Sequence, residues 1–141
     1  LVRKAIQINP KEPMFFMNLE TIYKQMGDPS LIIADYNFYL KEKEDLDLIR
    51  GYGMAVGRNM RQASFRLYNK GYLEKTILKW VEIEKIYKEI DHQSGLVPVY
   101  FSLGILYEEK GDSQNAKNYF DLVLKLNPLH IQAKERLYNI R

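Results

Sequence analysis

"PVYFSLGILYEEKGDSQNAKNYFDLVLKLNP", Pro98 to Pro128, decides how the chain is read. Tyr100, Leu103 and Tyr107 recur at i, i+3 and i+7 with Leu106 alongside, the spacing of one apolar helix face. Gly111-Asp112 stops that helix, and Ser113 stands where it can cap the next. Ala116, Phe120, Val123 and Leu124 then form a second stripe, closed by Asn127-Pro128. Two helices joined by so short a connection lie antiparallel and pack stripe against stripe. Gly104 and Ala116 supply small side chains where the two axes approach closely. The segment is predicted to be a helical hairpin.

The same residues carry a family resemblance: Tyr100-x2-Leu103-Gly104-x2-Tyr107, then Ala116-x3-Phe120, then Pro128. This resembles the tetratricopeptide repeat of about 34 residues, with Tyr100 in the place usually held by tryptophan. Two upstream stretches repeat it with decay. Phe16-x2-Leu19-x3-Tyr23, Gly27-Asp28 and Ile32-x3-Tyr36 make one copy, with Glu20 and Ile32 in place of small residues. Met60-x2-Ala63-Ser64-x2-Leu67, Gly71 and Thr76-x3-Trp80 make another. "AIQINP" (Ala5–Pro10) is similar to "VLKLNP" (Val123–Pro128), so the chain is read as opening inside the second helix of a preceding repeat.

The expected organisation is a single all-α repeat domain over residues 1–141. Residues 1–12 end a preceding repeat, hairpins follow at 13–46, 57–90 and 97–130, and 131–141 is a closing helix. With Leu1 in place of an initiator Met, a fragment of a longer chain is expected. The resemblance implies a right-handed superhelical stack of antiparallel hairpins, an α-solenoid, with first helices lining a concave groove where peptides dock.

The turn glycines Gly27, Gly71 and Gly111 are spaced 44 and 40 residues apart. The surplus over the repeat falls at about Asp47–Val56 and Asp91–Leu96. The first surplus holds most of "RGYGMAVGRN" (Arg50–Asn59), whose Gly51, Gly53 and Gly57 look like a phosphate-cradling turn. Such a loop needs a strand before it and a helix after it, so that backbone N–H groups face the phosphates. The surroundings are helical and no G-K-[ST] follows, so an extended or kinked connector is expected, each glycine costing a helix about 1 kcal/mol.

Composition narrows the function. The chain has 141 residues, 46% of them hydrophobic, enough for one domain with a core. There are no cysteines, which removes disulfides and thiolate chemistry. No apolar run approaches the ~20 residues of a membrane span. No signal or transmembrane stretch marks the segment, which reads as soluble; its compartment is left unassigned, with the cytoplasm slightly favoured. The net charge of +3 comes from 21 basic and 18 acidic residues. "KEKEDLD" (Lys41–Asp47) and "EIEKIYKEID" (Glu82–Asp91) alternate sign, whereas nucleic acid requires a clustered basic stripe. No nucleic acid partner is expected.

No chemistry is expected either. His92 and His130 stand alone without a partner at metal-ligand spacing. Glu82/Glu84 and Glu108/Glu109 read as solvated faces of mixed-charge helices, and Trp80 as core on a second-helix stripe. Catalytic residues, cofactors and metals are all set at none.

The candidate partner-binding residues are those of the first helices that lie off the hairpin stripes. They are Met14, Met17, Asn18 and Thr21, with Gln25, in the first unit. In the middle unit they are Arg58, Arg61, Gln62, Phe65 and Asn69, and in the last Phe101, Ser102, Ile105 and Glu109. Methionine and aromatic side chains suit an adaptable apolar floor, and the two arginines suit an acidic segment. Some family members clamp a C-terminal carboxylate with Lys and Asn; the Lys is missing here. The expected function is a non-catalytic scaffold that binds a protein or peptide, acidic with apolar anchors, in its concave groove. The alternatives are a structural spacer or self-association module, giving a homo-oligomer, and a helical-repeat RNA binder.

Overall fold

The computed structural model describes residues 1–42 and 45–140, so the charged stretch Lys41–Asp47 lies partly outside the described residues. Eight helices follow one another: α1 (Val2–Ile8), α2 (Pro13–Gln25), α3 (Leu31–Glu42), α4 (Leu46–Asn69), α5 (Leu73–Glu89), α6 (Gln93–Lys110), α7 (Ser113–Leu126) and α8 (Ile131–Ile140). No strand occurs among the described residues. The fold is all-α, with sequential helices packed on one another in the manner of a tetratricopeptide-type solenoid. The contacts divide the chain into two compact units, Leu1–Asn59 and Met60–Arg141.

One turn recurs. After α2, α4 and α6 the chain enters the left-handed region at Gly27 (φ 80°), Gly71 (φ 82°) and Gly111 (φ 88°). Each time, the next residue's N–H reaches back to the helix: Asp28 to the Tyr23 carbonyl (3.0 Å), Tyr72 to Leu67 (3.0 Å) and Asp112 to Tyr107 (2.8 Å). The glycine N–H closes the inner bond, to Lys24, Tyr68 and Glu108 respectively. This is the Schellman arrangement, which satisfies the orphan carbonyls of a helix end. Glycine belongs there because a Cβ is penalised at positive φ. Asp91 makes the same turn after α5 without being glycine: φ is 53°, and His92 N–H bonds the Tyr87 carbonyl at 2.8 Å.

Unit 1 buries Ile6, Phe16, Leu19, Tyr23, Ile32 and Tyr36 from α1 to α3, with Ile49, Tyr52, Ala55 and Val56 from the first part of α4. A polar tie joins α1, α2 and α3. The Arg3 guanidinium donates to the Tyr23 hydroxyl (2.6 and 2.9 Å) and to Asp35 (3.1 Å), while Tyr23 donates to Asp35. Burial and the Asp35 carboxylate together push the Tyr23 phenol up.

The glycine stretch is not the connector expected from its composition. α4 runs unbroken from Leu46 through Gly51, Gly53 and Gly57 to Asn69, so these amides lie within a helix and make no phosphate cradle. Packing outweighs propensity here. The Phe16 ring sits where a Gly51 Cβ would stand, its atoms 2.0–2.7 Å from that point, and the ring meets Tyr52 edge-on at 5.1 Å. Gly53 and Gly57 are buried, and Gly51 is half-buried. Most of the second surplus also becomes helix: after the turn at Asp91 and His92, α6 starts at Gln93, five residues before Pro98, which lies inside it.

Unit 2 holds the end of α4 and all of α5 to α8. Five residues of the quoted motif, Tyr100, Leu103, Gly104, Ala116 and Phe120, are buried, and the Phe120 ring lies where a Gly104 Cβ would stand; Tyr107 is half-buried, and Asp112 rather than Ser113 caps α7, accepting from the Asn115 N–H. Glu84 departs from the solvated-face reading. It is 8% exposed, accepts from the Tyr119 hydroxyl (3.1 Å) and pairs with Lys88 (3.0 Å). Those two partners are what make its burial tolerable. The junctions α1–α2 and α7–α8 match: Asn9 (φ −136°, ψ 78°) and Asn127 (φ −139°, ψ 87°) end their helices alike.

Gly51→Ala tests the packing of α4. Alanine improves helix propensity by about 1 kcal/mol, but overpacking against a buried ring costs about 1–3 kcal/mol. A net loss is expected in urea unfolding, and a gain would show that Phe16 has room to turn. Asp91→Gly should instead raise stability by about 0.5–1 kcal/mol, relieving the left-handed non-glycine residue.

Candidate functional site

The aromatic side chains of unit 2 frame a cleft between the end of α4, α5 and α6. It encloses about 250 Å³ and is lined mainly by Phe65 and Tyr68 of α4, Trp80 of α5, and Ile105 and Leu106 of α6. Ser64, Thr76 and Ser102 complete it, and two of their hydroxyls are bonded inward. Ser64 donates to the Arg61 carbonyl (2.6 Å) and Thr76 to the Tyr72 carbonyl (2.7 Å). The lining is therefore apolar in effect. Phe65 meets Trp80 edge-on, centroids 6.0 Å apart, yet remains 53% exposed, whereas Trp80 is 4% exposed. A half-bare aromatic ring over a preformed apolar cleft fits a docking surface.

Three residues expected to face a partner converge on this cleft: Phe65, Ser102 and Ile105. Gln62 and Asn69 are exposed on α4 beside it. Arg61 is half-buried, one turn before Phe65, and enters no ion pair among the described residues. Phe101 is spent elsewhere. Its ring packs on Phe120 (5.7 Å) and on His130 (4.9 Å), whose Nδ1 accepts the Ala133 N–H and caps α8. Glu109 receives the Tyr68 hydroxyl at 3.1 and 3.2 Å. Tyr68 and Trp80 were not singled out as site residues. Tyr68 lies three residues beyond Phe65 on the same helix, a spacing that places both on one face.

In unit 1, Met14, Met17, Asn18 and Thr21 lie on the exposed face of α2, with the Thr21 hydroxyl bonded back to the Met17 carbonyl (3.0 Å). Arg58 is engaged within the unit, donating to Glu20 at 3.2 and 3.3 Å. Burial pushes the Glu20 carboxyl up, and the Arg58 charge and hydrogen bonds pull it back. Among the described residues, no three His, Cys, Asp or Glu side chains gather as a metal site, and no helix is long and apolar enough to cross a membrane.

Arg58→Ala gives the Arg58–Glu20 pair a pH signature. Glu20 already titrates above its ordinary value in the fold, and losing Arg58 raises it further. The ionised form is then penalised as pH rises through the folded value. Stability should fall by about 0.5–1 kcal/mol at pH 7, and the loss should shrink as the medium is acidified and Glu20 protonates. A loss constant from pH 7 to pH 3, read by urea unfolding, would assign the effect to packing alone.

Residues 97–128, covering most of α6 and all of α7, match the Tetratricopeptide repeat family. The chain is also similar to the uncharacterized protein ycf37 of Pyropia yezoensis, 21% identical over 140 residues that span 91% of this chain and 75% of that protein. Repeats of this family serve in general as protein–protein interaction scaffolds, typically without catalysis. With the buried motif of α6 and α7 on one side and this match on the other, residues 97–128 are a tetratricopeptide repeat.

Proposed function

We propose that this chain is a non-catalytic interaction module that holds an apolar side chain of a protein partner in the cleft of unit 2. The carrying observation is the exposed Phe65 ring above the 250 Å³ cleft walled by Trp80, Tyr68, Ile105 and Leu106. Interface energy concentrates on a few aromatic residues around a preformed pocket. Covering the exposed half of Phe65 is worth about 1 kcal/mol in apolar area alone. On unit 1, Met14 and Met17, with Asn18 and Thr21 beside them, offer a separate adaptable surface.

A second reading rests on a different observation. Leu129, just before α8, and Ile131 and Tyr138 within it are largely exposed, which suits self-association through that end. Sedimentation equilibrium separates the two: concentration-dependent dimers abolished by Ile131→Asp with Tyr138→Asp would support the self-association reading.

Trp80 is the single tryptophan, so its fluorescence reports on the cleft. Peptides selected on the chain from a random library should perturb Trp80 emission. They should lose about tenfold or more in affinity for Phe65→Ala, consistent with a central aromatic anchor. Circular dichroism should show the helices intact. Selected peptides indifferent to Phe65→Ala would move the binding surface away from this cleft.

A further inference from the structure

The cleft of unit 2 is flanked by opposite charges that the fold leaves unpaired, and from them we infer the charge pattern of the partner segment. This inference rests on the docking reading above and deepens it. Along α4, Arg61 stands one turn before Phe65, and residues four apart share a helix face. At the other end, Tyr68 donates to Glu109, which lies one turn beyond Ile105 on α6. Two neighbouring cations are paired inside the unit, Lys110 with Glu74 at 3.0 Å and Arg136 with Glu108 at 2.8 Å, while Arg66 follows Phe65 by a single residue and so turns to another side of α4. Arg61 and Glu109 enter no ion pair among the described residues.

The result is a short dipolar track: a cation, an apolar cleft, then an anion. From Arg61 to Tyr68 is seven residues of helix, about 10 Å at 1.5 Å per residue. An extended segment covers that span in about three residues at roughly 3.3 Å each. The complementary occupant is a bulky apolar side chain with an acidic residue on its Arg61 side and a basic residue on its Glu109 side. Arginine's fixed fork suits a carboxylate, and Glu109, already held by one hydrogen bond from Tyr68, presents an oriented acceptor. Opposite charges at the two ends also fix the direction in which a segment lies, since a reversed segment sets like charges together.

The test compares random-peptide libraries selected on three proteins: the full chain, the Arg61→Glu/Glu109→Arg double variant, and Phe65→Ala. The full chain should enrich a bulky apolar residue with an acid and a base on opposite flanks in one fixed order. The double variant should enrich the same apolar residue with the order inverted, and should bind peptides from the first selection about fivefold or more weakly. Raised salt should narrow that difference. Identical pools on the full chain and the double variant, or an apolar residue without flanking charges, would overturn the charge pattern and leave the docking reading standing. Pools insensitive to Phe65→Ala, or selections that yield no binder, would overturn both. Matching melting curves for the three proteins confirm that each result concerns recognition and not folding.

Discussion

A residue in the left-handed backbone region turns a helix end back on itself within two residues, and this chain places one at Gly27, Gly71, Asp91 and Gly111. Each of these residues ends a helix, returns an N–H to the helix it has just left and directs the chain back along it. Antiparallel pairing then follows without further instruction, because short connections leave the apolar stripes facing each other. Three of the four positions are glycine, for which the conformation carries no steric cost. The fourth is aspartate, one of the few other residues that tolerates it.

Once helices are antiparallel, their separation depends on what lies at the crossing. Gly104 lets the Phe120 ring rest against the α6 backbone, and Gly51 does the same for Phe16 against α4. In both cases a large ring fills the space that a missing side chain leaves open, which keeps the interior at ordinary packing density. These contacts account for the sequence pattern of small residue, aromatic and turn glycine. They also explain how a helix can retain three glycines over seven residues, since buried contacts replace the stability that propensity withholds.

Polar groups caught in this packing are tied down in networks. Arg3, Tyr23 and Asp35 join three helices of unit 1, and Glu84, Lys88 and Tyr119 join α5 to α7 in unit 2. Arg58 is paired in the same way, with Glu20. What remains available lies where neither packing nor pairing claims a side chain. In unit 2 that remainder includes Phe65 with the cleft beneath it, and Leu129, Ile131 and Tyr138 around α8.

The amino-acid sequence by itself determined the helical class, the turns at Gly27, Gly71 and Gly111 and the core of α6 and α7, because each depends on local rules. Period, left-handed turns and small-residue spacing act within a few residues of one another. It also pointed to Phe65 and Ile105, since a residue off the hairpin stripe must face something other than its own hairpin. Only the tertiary structure decided the fate of Gly51, Gly53 and Gly57, which a local reading assigns to a connector and burial turns into mid-helix. It alone drew Phe101 toward Phe120 and His130, Arg58 toward Glu20, and Glu84 beneath Tyr119. The partner in each of those contacts stands at least ten residues away along the chain, and no local pattern specifies which distant side chain arrives.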